Sequence, residues 1–271
     1  MIYKLNILIA IILFSCSEYK YEARTKNFPT EELPVLKAPK KENIWVFVLA
    51  GQSNMAGRAF VEPNDTLPNK RILTVNNKDQ LIFAKEPLHF YEPSQKGLDL
   101  GMSFAENLLK RTADSIHILL IPTAIGGSSI EQWINDKKHR DIKLLSNFKT
   151  KLEVAQHYGS LKGIIWHQGE SDANNKASIN AYYTNLIRLT SIFRKLANND
   201  QLPILIGELG AFSNNKENWS LLNKKINDFA KTDSLIKVVS SHNLKDKGDK
   251  LHFNAKSIRE LGKRYAEKFF E

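Results

Sequence analysis

Short apolar runs alternate with helical patterns along most of the 271-residue chain, and this alternation restricts the fold more than any other feature. After Asn43 several of these runs are continuously apolar, as in parallel strands that are covered on both faces. The pattern predicts strands at 44–50, 71–75, 116–121, 163–166, 203–207 and 236–239. It predicts helices at 102–111, 144–157, 179–197, 219–231 and 254–270. The expected fold is therefore α/β, a three-layer α/β/α sandwich with one core and a central, mainly parallel sheet.

The composition is that of an ordinary globular protein, with 42% hydrophobic and 25% charged residues. The formal net charge of +10 comes from scattered lysines and arginines. Because they form no basic stripe or arginine-rich helix, a nucleic-acid partner is not expected. A solvated basic surface is the simpler interpretation, and an anionic envelope or polysaccharide partner is also compatible with the charge.

The N-terminus has the features of a secretory signal. Lys4 precedes an apolar run from 5 to 14, which is too short to span a membrane. The run ends close to Cys16, the only cysteine, in a sequence that resembles a bacterial lipobox. Residues 1–15 are therefore predicted to be a lipoprotein signal peptide. Acylation of Cys16 would anchor the protein in the cell envelope, at the outer membrane or in the periplasm, as its only membrane contact.

Without lipidation, the same signal would lead to secretion. Residues 16–42 contain three prolines and many charges, which predicts a flexible tether. A single domain is expected over 43–271.

The most informative motif is Gly51-Gln52-Ser53-Asn54-Met55, directly after the predicted strand at 44–50. In such sheets, sites form at the carboxyl ends of the strands. A serine in this position has an exposed hydroxyl and a free backbone N–H, which are the two groups that a nucleophile in acyl transfer needs. The alternative is that Ser53 only caps the helix that follows.

Two glycine segments also lie at the ends of predicted strands or helices. Gly101 opens a predicted helix, where its backbone N–H could face a substrate oxygen, although a turn glycine is the simpler explanation. The Gly126-Gly127 loop follows another strand and is either a close-packed turn or one wall of a site. In the second case, Trp133 could serve as a platform for a sugar ring.

Polar residues also follow the strand at 163–166, in the segment His167-Gln168-Gly169-Glu170-Ser171-Asp172. Such groups are costly to pack without a purpose. Gln168 could donate an amide hydrogen to a developing oxyanion, and Glu170 could orient a histidine. The alternative is a hydrogen-bonded turn in which Glu170 caps the next segment.

Asp249 lies three residues before His252, in a predicted loop before the last helix. This spacing can bring the carboxylate to the ring nitrogen that faces away from the serine. An exposed loop pair is the alternative interpretation.

Together these segments resemble the SGNH hydrolase superfamily, and more narrowly its sialate O-acetylesterase and carbohydrate esterase family 6 group, which is acetylxylan esterase-like. They occur in the order of that family, between residues 44 and 270. The resemblance implies an SGNH or flavodoxin-like hydrolase fold. It also implies a serine esterase that removes O-acetyl groups from a carbohydrate, an acetylated polysaccharide or sialic acid, through an acetyl-enzyme intermediate.

Residue roles follow from the same resemblance. It implies Ser53 as the nucleophile, His252 as the general base and Asp249 as the acid partner, with Glu170 as an alternative acid partner.

The resemblance also implies an oxyanion hole made by the backbone N–H groups of Ser53 and Gly101 and the side chain of Gln168. If the glycine loop forms a wall of the site, Gly127 and Trp133 would bind the substrate. No cofactor or metal ion is expected, since the chain has no cluster with metal-ligand spacing. Two alternatives stay open, a non-catalytic carbohydrate-binding lipoprotein on this scaffold and a lipid or acyl esterase of the wider superfamily.

Overall fold

The computed structural model describes residues 24–271, in which a seven-stranded sheet lies between two layers of helices. The predicted signal peptide and Cys16 lie outside the described residues and stay predictions. Within 24–271, every helix is too short or too polar to cross a bilayer.

The strands and helices follow one another in chain order. The strands are β1 Ile44–Gly51, β2 Ile72–Val75, β3 Leu81–Phe83, β4 His117–Pro122, β5 Lys138–His139, β6 Ile142–Lys143, β7 Ser160–His167, β8 Ile204–Gly207 and β9 Ile236–Val239. The α-helices are α1 Ser53–Ala56, α2 Gly101–Leu109, α3 Ile130–Ile134, α4 Leu144–Tyr158, α5 Lys176–Ala197, α6 Lys216–Ala230 and α7 Ala255–Phe269. Three short 3₁₀ helices lie at Lys41–Asn43, Pro63–Thr66 and Asp172–Asn174.

The sheet has the order β3-β2-β4-β1-β7-β8-β9. All neighbouring pairs are parallel except β2 with β3. The predicted mainly parallel α/β sheet is therefore confirmed, with all six predicted strands present. The sequence pattern missed the edge strand β3 and the separate β5–β6 hairpin, because two or three residues are too few to show a period.

The two faces of β1 pack into two separate hydrophobic cores. Val46 and Val48 face the core that is formed with α3 to α6, whereas Phe47 and Leu49 face the core that is formed with α2 and α7. All four side chains are fully buried. Because successive residues of a strand point to opposite faces, a continuously apolar β1 requires helices on both sides. The predicted three-layer sandwich is thus observed, but the prediction of one core is corrected, because the sheet divides the buried side chains into two hydrophobic cores.

Residues 24–42 are the described part of the predicted flexible tether over 16–42, and within them residues 33–35 pair with the edge of the sheet. Leu33 accepts a hydrogen bond from the backbone N–H of Phe83 (2.9 Å), and Val35 donates one to Leu81 (3.1 Å). Pro34 between them pairs with β3 in an antiparallel bridge. This corrects the prediction of a flexible tether at residues 33–35, and the rest of the predicted tether stays a prediction. A proline is compatible with a sheet edge, where its missing N–H faces away from the ladder, so proline content alone did not reveal the pairing.

Gly51, at the end of β1, has a backbone conformation that side chains disfavour. Its φ is +138°, and a β-carbon there would lie 2.1 Å from the carbonyl oxygen of His167. We expect Gly51→Ala to lower the free energy of unfolding by about 2 kcal/mol or more, because a strained backbone alone costs about 1–3 kcal/mol. Urea denaturation measures the difference.

Gly163→Ala is the matched control, because Gly163 lies in the neighbouring strand β7 and a β-carbon there would meet no atom closer than 3.4 Å. We expect this control to change the free energy of unfolding by less than about 1 kcal/mol. Equal losses in the two variants would contradict a special requirement for glycine at position 51.

Candidate active site

Ser53 is the first residue of α1, and its side chain meets that of His252. The Oγ of Ser53 lies 3.1 Å from Nε2 of His252, and Nδ1 of His252 lies 2.7 Å from Oδ2 of Asp249. Because a carboxylate only accepts hydrogen bonds, Nδ1 carries the ring proton and Nε2 presents a lone pair to the serine hydroxyl. The structure thus brings together the three residues that the sequence pointed to, in the order that proton transfer from the serine requires.

Asp249 and His252 are held together by a turn that Asp249 itself forms. Oδ1 of Asp249 accepts the backbone N–H groups of Leu251 (3.0 Å) and His252 (2.8 Å), which leaves Oδ2 for the imidazole. An aspartate that binds backbone N–H groups two and three residues later is a common turn former. The local sequence therefore folds the acid and the base into one unit.

The surroundings of this pair keep the Asp249 carboxylate charged and the His252 imidazole neutral at pH 7. Burial alone would raise the pKa of Asp249, but its hydrogen bonds with His252 and Leu251 outweigh burial and hold the pKa below its usual value. Burial lowers the pKa of His252, and the nearby charges of Lys247 and Arg58 lower it further, while Asp249 opposes them. Since the pKa of His252 falls below 6.5, the imidazole is neutral at pH 7 and can accept a proton.

Gln52, the residue before Ser53, ties α1 to the turn after β7. Its Oε1 accepts the Nε2 hydrogen of Gln168 (3.1 Å) and the backbone N–H groups of Gly169 (3.4 Å) and Ser171 (3.2 Å). The backbone N–H of Gln52 in turn donates to the last residue of β7 (3.0 Å). These bonds fix the turn that carries the serine.

Gln168 is buried and does not reach the serine hydroxyl. Its Nε2 lies within hydrogen-bonding distance of Ser128 O (3.0 Å) and Asp172 Oδ2 (2.6 Å) as well as Gln52, and its Oε1 accepts from the Tyr182 hydroxyl (2.9 Å). Both amide hydrogens are therefore engaged, so the prediction that Gln168 donates to an oxyanion is wrong. Its partner on α5 lies 14 residues away, which local sequence could not reveal.

The backbone N–H of Gly101 is also already hydrogen-bonded. Its backbone N–H donates to Oδ1 of Asp99 (2.6 Å), and a β-carbon would collide with the side chains of Leu88 and Leu49. Gly101 is thus a close-packing glycine at the start of α2, and its predicted oxyanion role is wrong. The signal was present in the sequence, since an aspartate commonly captures the N–H two residues later.

Trp133 belongs to the core and not to a sugar-binding surface. It is fully buried, it contacts Trp166 and Phe193 edge to face, and its Nε1 donates to Ser128 Oγ (2.9 Å). A buried ring cannot stack on a substrate, so the predicted platform is wrong. Apolar residues at 130, 133 and 134 have the spacing of one helix face, which was the signal for burial.

Glu170 does not contact the base. Its Oε1 accepts from Nδ2 of Asn54 (2.5 Å) and lies 3.9 Å from Nε2 of His167. Asp249 occupies the ring nitrogen of His252 that an acid partner would bind. Between the two acids that the sequence left open, the geometry therefore selects Asp249, and the alternative assignment to Glu170 is corrected.

The Gly126-Gly127 loop is held near the serine turn by a carboxylate that the sequence analysis missed. Glu92 accepts from Arg58 (2.8 Å), from Arg140 and from the backbone N–H of Gly126 (2.6 Å). Burial alone would raise the pKa of Glu92, but these donors outweigh it and lower the pKa. Gly127 itself is exposed with a φ of +78°. Its substrate-binding role stays a prediction.

The backbone N–H of Ser53 is the remaining donor at the predicted oxyanion position. The first residue of a helix has no intrahelical acceptor for its N–H, and no acceptor from the rest of residues 24–271 binds it. A nucleophile, a base, an oriented carboxylate and a free N–H together can perform acyl transfer. Within the described residues no group of three His, Cys, Asp or Glu could hold a metal ion.

Comparisons with known proteins give a consistent result. A sequence model of the family described as carbohydrate esterase, sialic acid-specific acetylesterase matches residues 43–271. A probable carbohydrate esterase of Arabidopsis thaliana is 29% identical over 262 residues, which cover 89% of this chain and 95% of that protein.

Solved structures share the fold. An X-ray structure of an Arabidopsis thaliana protein has a TM-score of 0.74 at 27% identity, covering 83% of this chain and 97% of that one. NanS has a TM-score of 0.69 at 16% identity over 87% and 98%. A carbohydrate acetylesterase from Xanthomonas citri has a TM-score of 0.58 at 18% identity over 83% of this chain and 55% of that one.

The charges around His252 predict that two substitutions shift its pKa in opposite directions. We expect its pKa to lie below 6.5, to fall further in Asp249→Asn, which removes the charge that stabilises the imidazolium, and to rise in Lys247→Met, which removes a neighbouring cation. An NMR titration of the imidazole C–H signals measures the pKa, with His252→Gln identifying the signal. Shifts of the same sign in both variants would contradict this account.

Proposed function

This chain belongs to the carbohydrate esterase, sialic acid-specific acetylesterase family, and on that premise we propose that it is a serine esterase that removes O-acetyl groups from a carbohydrate. An esterase role on carbohydrates is the general activity of this family. The serine mechanism and the acetylated substrate, a polysaccharide or sialic acid, are our proposal. The observation that carries it is the continuous pair of hydrogen bonds from Ser53 through His252 to Asp249.

In the first half-reaction, the Ser53 Oγ attacks the acetyl carbonyl carbon while Nε2 of His252 takes the hydroxyl proton. A C–O bond to the serine forms, and the carbonyl oxygen becomes an oxyanion. When the tetrahedral intermediate collapses, the bond to the sugar oxygen breaks and His252 protonates the departing sugar hydroxyl. Asp249 holds the imidazole in the required tautomer and stabilises the imidazolium.

In the second half-reaction, water replaces the sugar. His252 takes one proton from the water, and the hydroxide attacks the acetyl carbonyl carbon. The C–O bond to Ser53 then breaks, its Oγ regains the proton from His252, and the product leaves as acetic acid, which ionises to acetate. We assign the backbone N–H of Ser53 as a donor to the oxyanion in both steps, because no acceptor within residues 24–271 binds it. A donor of this kind is worth about 2.7–4 kcal/mol in comparable sites.

The state of the base fits this mechanism. Because burial and the cations Lys247 and Arg58 lower the pKa of His252, its base form is present at neutral pH and is lost as the pH falls through that pKa. The lowered pKa of Asp249 keeps its carboxylate charged over the same range. The base and the charge that stabilises its protonated form therefore coexist at pH 7.

We expect the protein to hydrolyse a small chromogenic acetate ester and to release acetate from acetylated glycans. Ser53→Ala and His252→Ala should abolish turnover, and Asp249→Asn should lower kcat by about 10⁴-fold, because the wrong tautomer forms. Ser220→Ala, an exposed serine on α6, is the matched control and should keep wild-type turnover. Wild-type turnover in Ser53→Ala would sink the proposal.

The same assay separates the two alternatives from the proposed activity. Acetate release measured across acetylated xylan, pectin, peptidoglycan and O-acetylated sialic acid should identify the substrate class. Glycan affinity without acetate release would instead indicate a carbohydrate-binding protein. We expect kcat/KM to fall from acetyl to octanoyl esters, and a rise with acyl length would indicate a lipid or acyl esterase.

A further inference from the structure

The side chain of Asn54, the residue after the proposed nucleophile, holds the chain on both sides of His252. Its Nδ2 donates to the carbonyl oxygen of Leu251 (3.1 Å), and its Oδ1 accepts the backbone N–H of Phe253 (3.1 Å). Leu251 and Phe253 are the neighbours of His252 in the chain. One amide thus fixes the distance between the base and the helix that carries the serine.

The second hydrogen of the same Nδ2 is bound by Glu170, whose Oε1 accepts it at 2.5 Å. Glu170 is itself fixed, because Gln52 accepts the backbone N–H groups of its two neighbours, Gly169 and Ser171. Asn54 is 2% exposed and Glu170 is 3% exposed. The contact between them is therefore shielded from water. A hydrogen bond to a carboxyl group has its largest effect in such a buried, low-dielectric environment.

We propose that Glu170 is a positioning residue that acts through Asn54. It orients the Asn54 amide, and the amide holds the loop of His252 so that Nε2 meets Ser53. This proposal rests on the proposed serine mechanism, since it assigns the buried glutamate a role in placing the base and none in proton transfer.

The surroundings of Glu170 fit a support and not an acid partner. Its Oε2 has no hydrogen-bond partner among residues 24–271, and neither has Nε2 of His167, which lies 3.9 Å from Oε1. Burial raises the pKa of Glu170 to about 7, with Asp172 raising it and Asn54 lowering it, and burial lowers the pKa of His167 to about 4. What Asn54 needs here is an acceptor oxygen, and the oxygen of a glutamine amide can serve as well.

Two variants of Glu170 separate the acceptor from the charge. Glu170→Gln keeps an acceptor oxygen, and we expect it to retain kcat within about threefold. Glu170→Met has a similar size but no acceptor, and we expect kcat to fall about 10- to 100-fold with KM within about twofold. Rates are counted per active serine, titrated by the burst of a chromogenic acetate ester, so that misfolded molecules do not contribute. A fall of about 10⁴-fold in Glu170→Gln, as a triad acid would show, would overturn the proposal.

A double-mutant cycle with Asn54→Ala tests whether Glu170 acts through Asn54. If it does, Asn54→Ala combined with Glu170→Met should be no slower than Asn54→Ala alone, because the contact is already lost. If kcat of the double variant falls by the product of the two single reductions, the proposal is overturned, since Glu170 would then support the site independently of Asn54. If Glu170→Met does not fold, Glu170→Leu replaces it in the cycle. The assay of Ser53→Ala decides the proposed function separately, because acetate release that depends on Ser53 stands whatever the cycle shows.

Discussion

Gly51 and His167 lie opposite each other at the last register position of β1 and β7, and the site is built outward from this pairing. The residues that directly follow the two strands, Gln52 and Gln168, are in contact through their side chains. Gln52 also binds the turn after Gln168. Parallel strands end at the same edge of a sheet, so the turns after β1 and β7 must meet there. The absence of a side chain at Gly51 lets them meet closely, because any β-carbon would strike the β7 backbone.

The two acids of the site differ because their environments differ. The Asp249 side chain is 36% exposed and binds two backbone N–H groups and the imidazole. The Glu170 side chain is 2% exposed, and one of its oxygens has no partner within residues 24–271. Hydrogen bonds to the charged form outweigh burial at Asp249, and burial prevails at Glu170. Only Asp249 is therefore reliably ionised at neutral pH beside the base. A similar division between two carboxyl groups separates the roles of acid pairs in other enzymes.

Sequence reasoning succeeded where the decisive interactions are local or follow from periodicity. Asp249 and His252 are three residues apart and close their own turn, and continuous apolar strands imply helices on both faces of the sheet. It failed at Gln168, because the groups that occupy its amide come from elements far away in the chain. At Gly101 and Trp133 the local sequence carried the contrary signal, since Asp99 lies two residues before Gly101 and binds its N–H, and Trp133 lies on the apolar face of its helix and is buried.

The base lies on an exposed loop, and a loop alone does not hold a catalytic group in place. Within that loop, Lys247 donates its backbone N–H to the His252 carbonyl (2.9 Å) and its Nζ to the carbonyl of Arg58 (3.0 Å). Asn54 adds the two contacts that flank the histidine. Arg58 and Asn54 both belong to the segment just after β1, so the serine and its base are held by the same part of the chain, while Ser257 on α7 binds the backbone N–H of Lys245 at the start of the loop (2.8 Å). These contacts support the distance between the serine and its base, on which proton transfer depends.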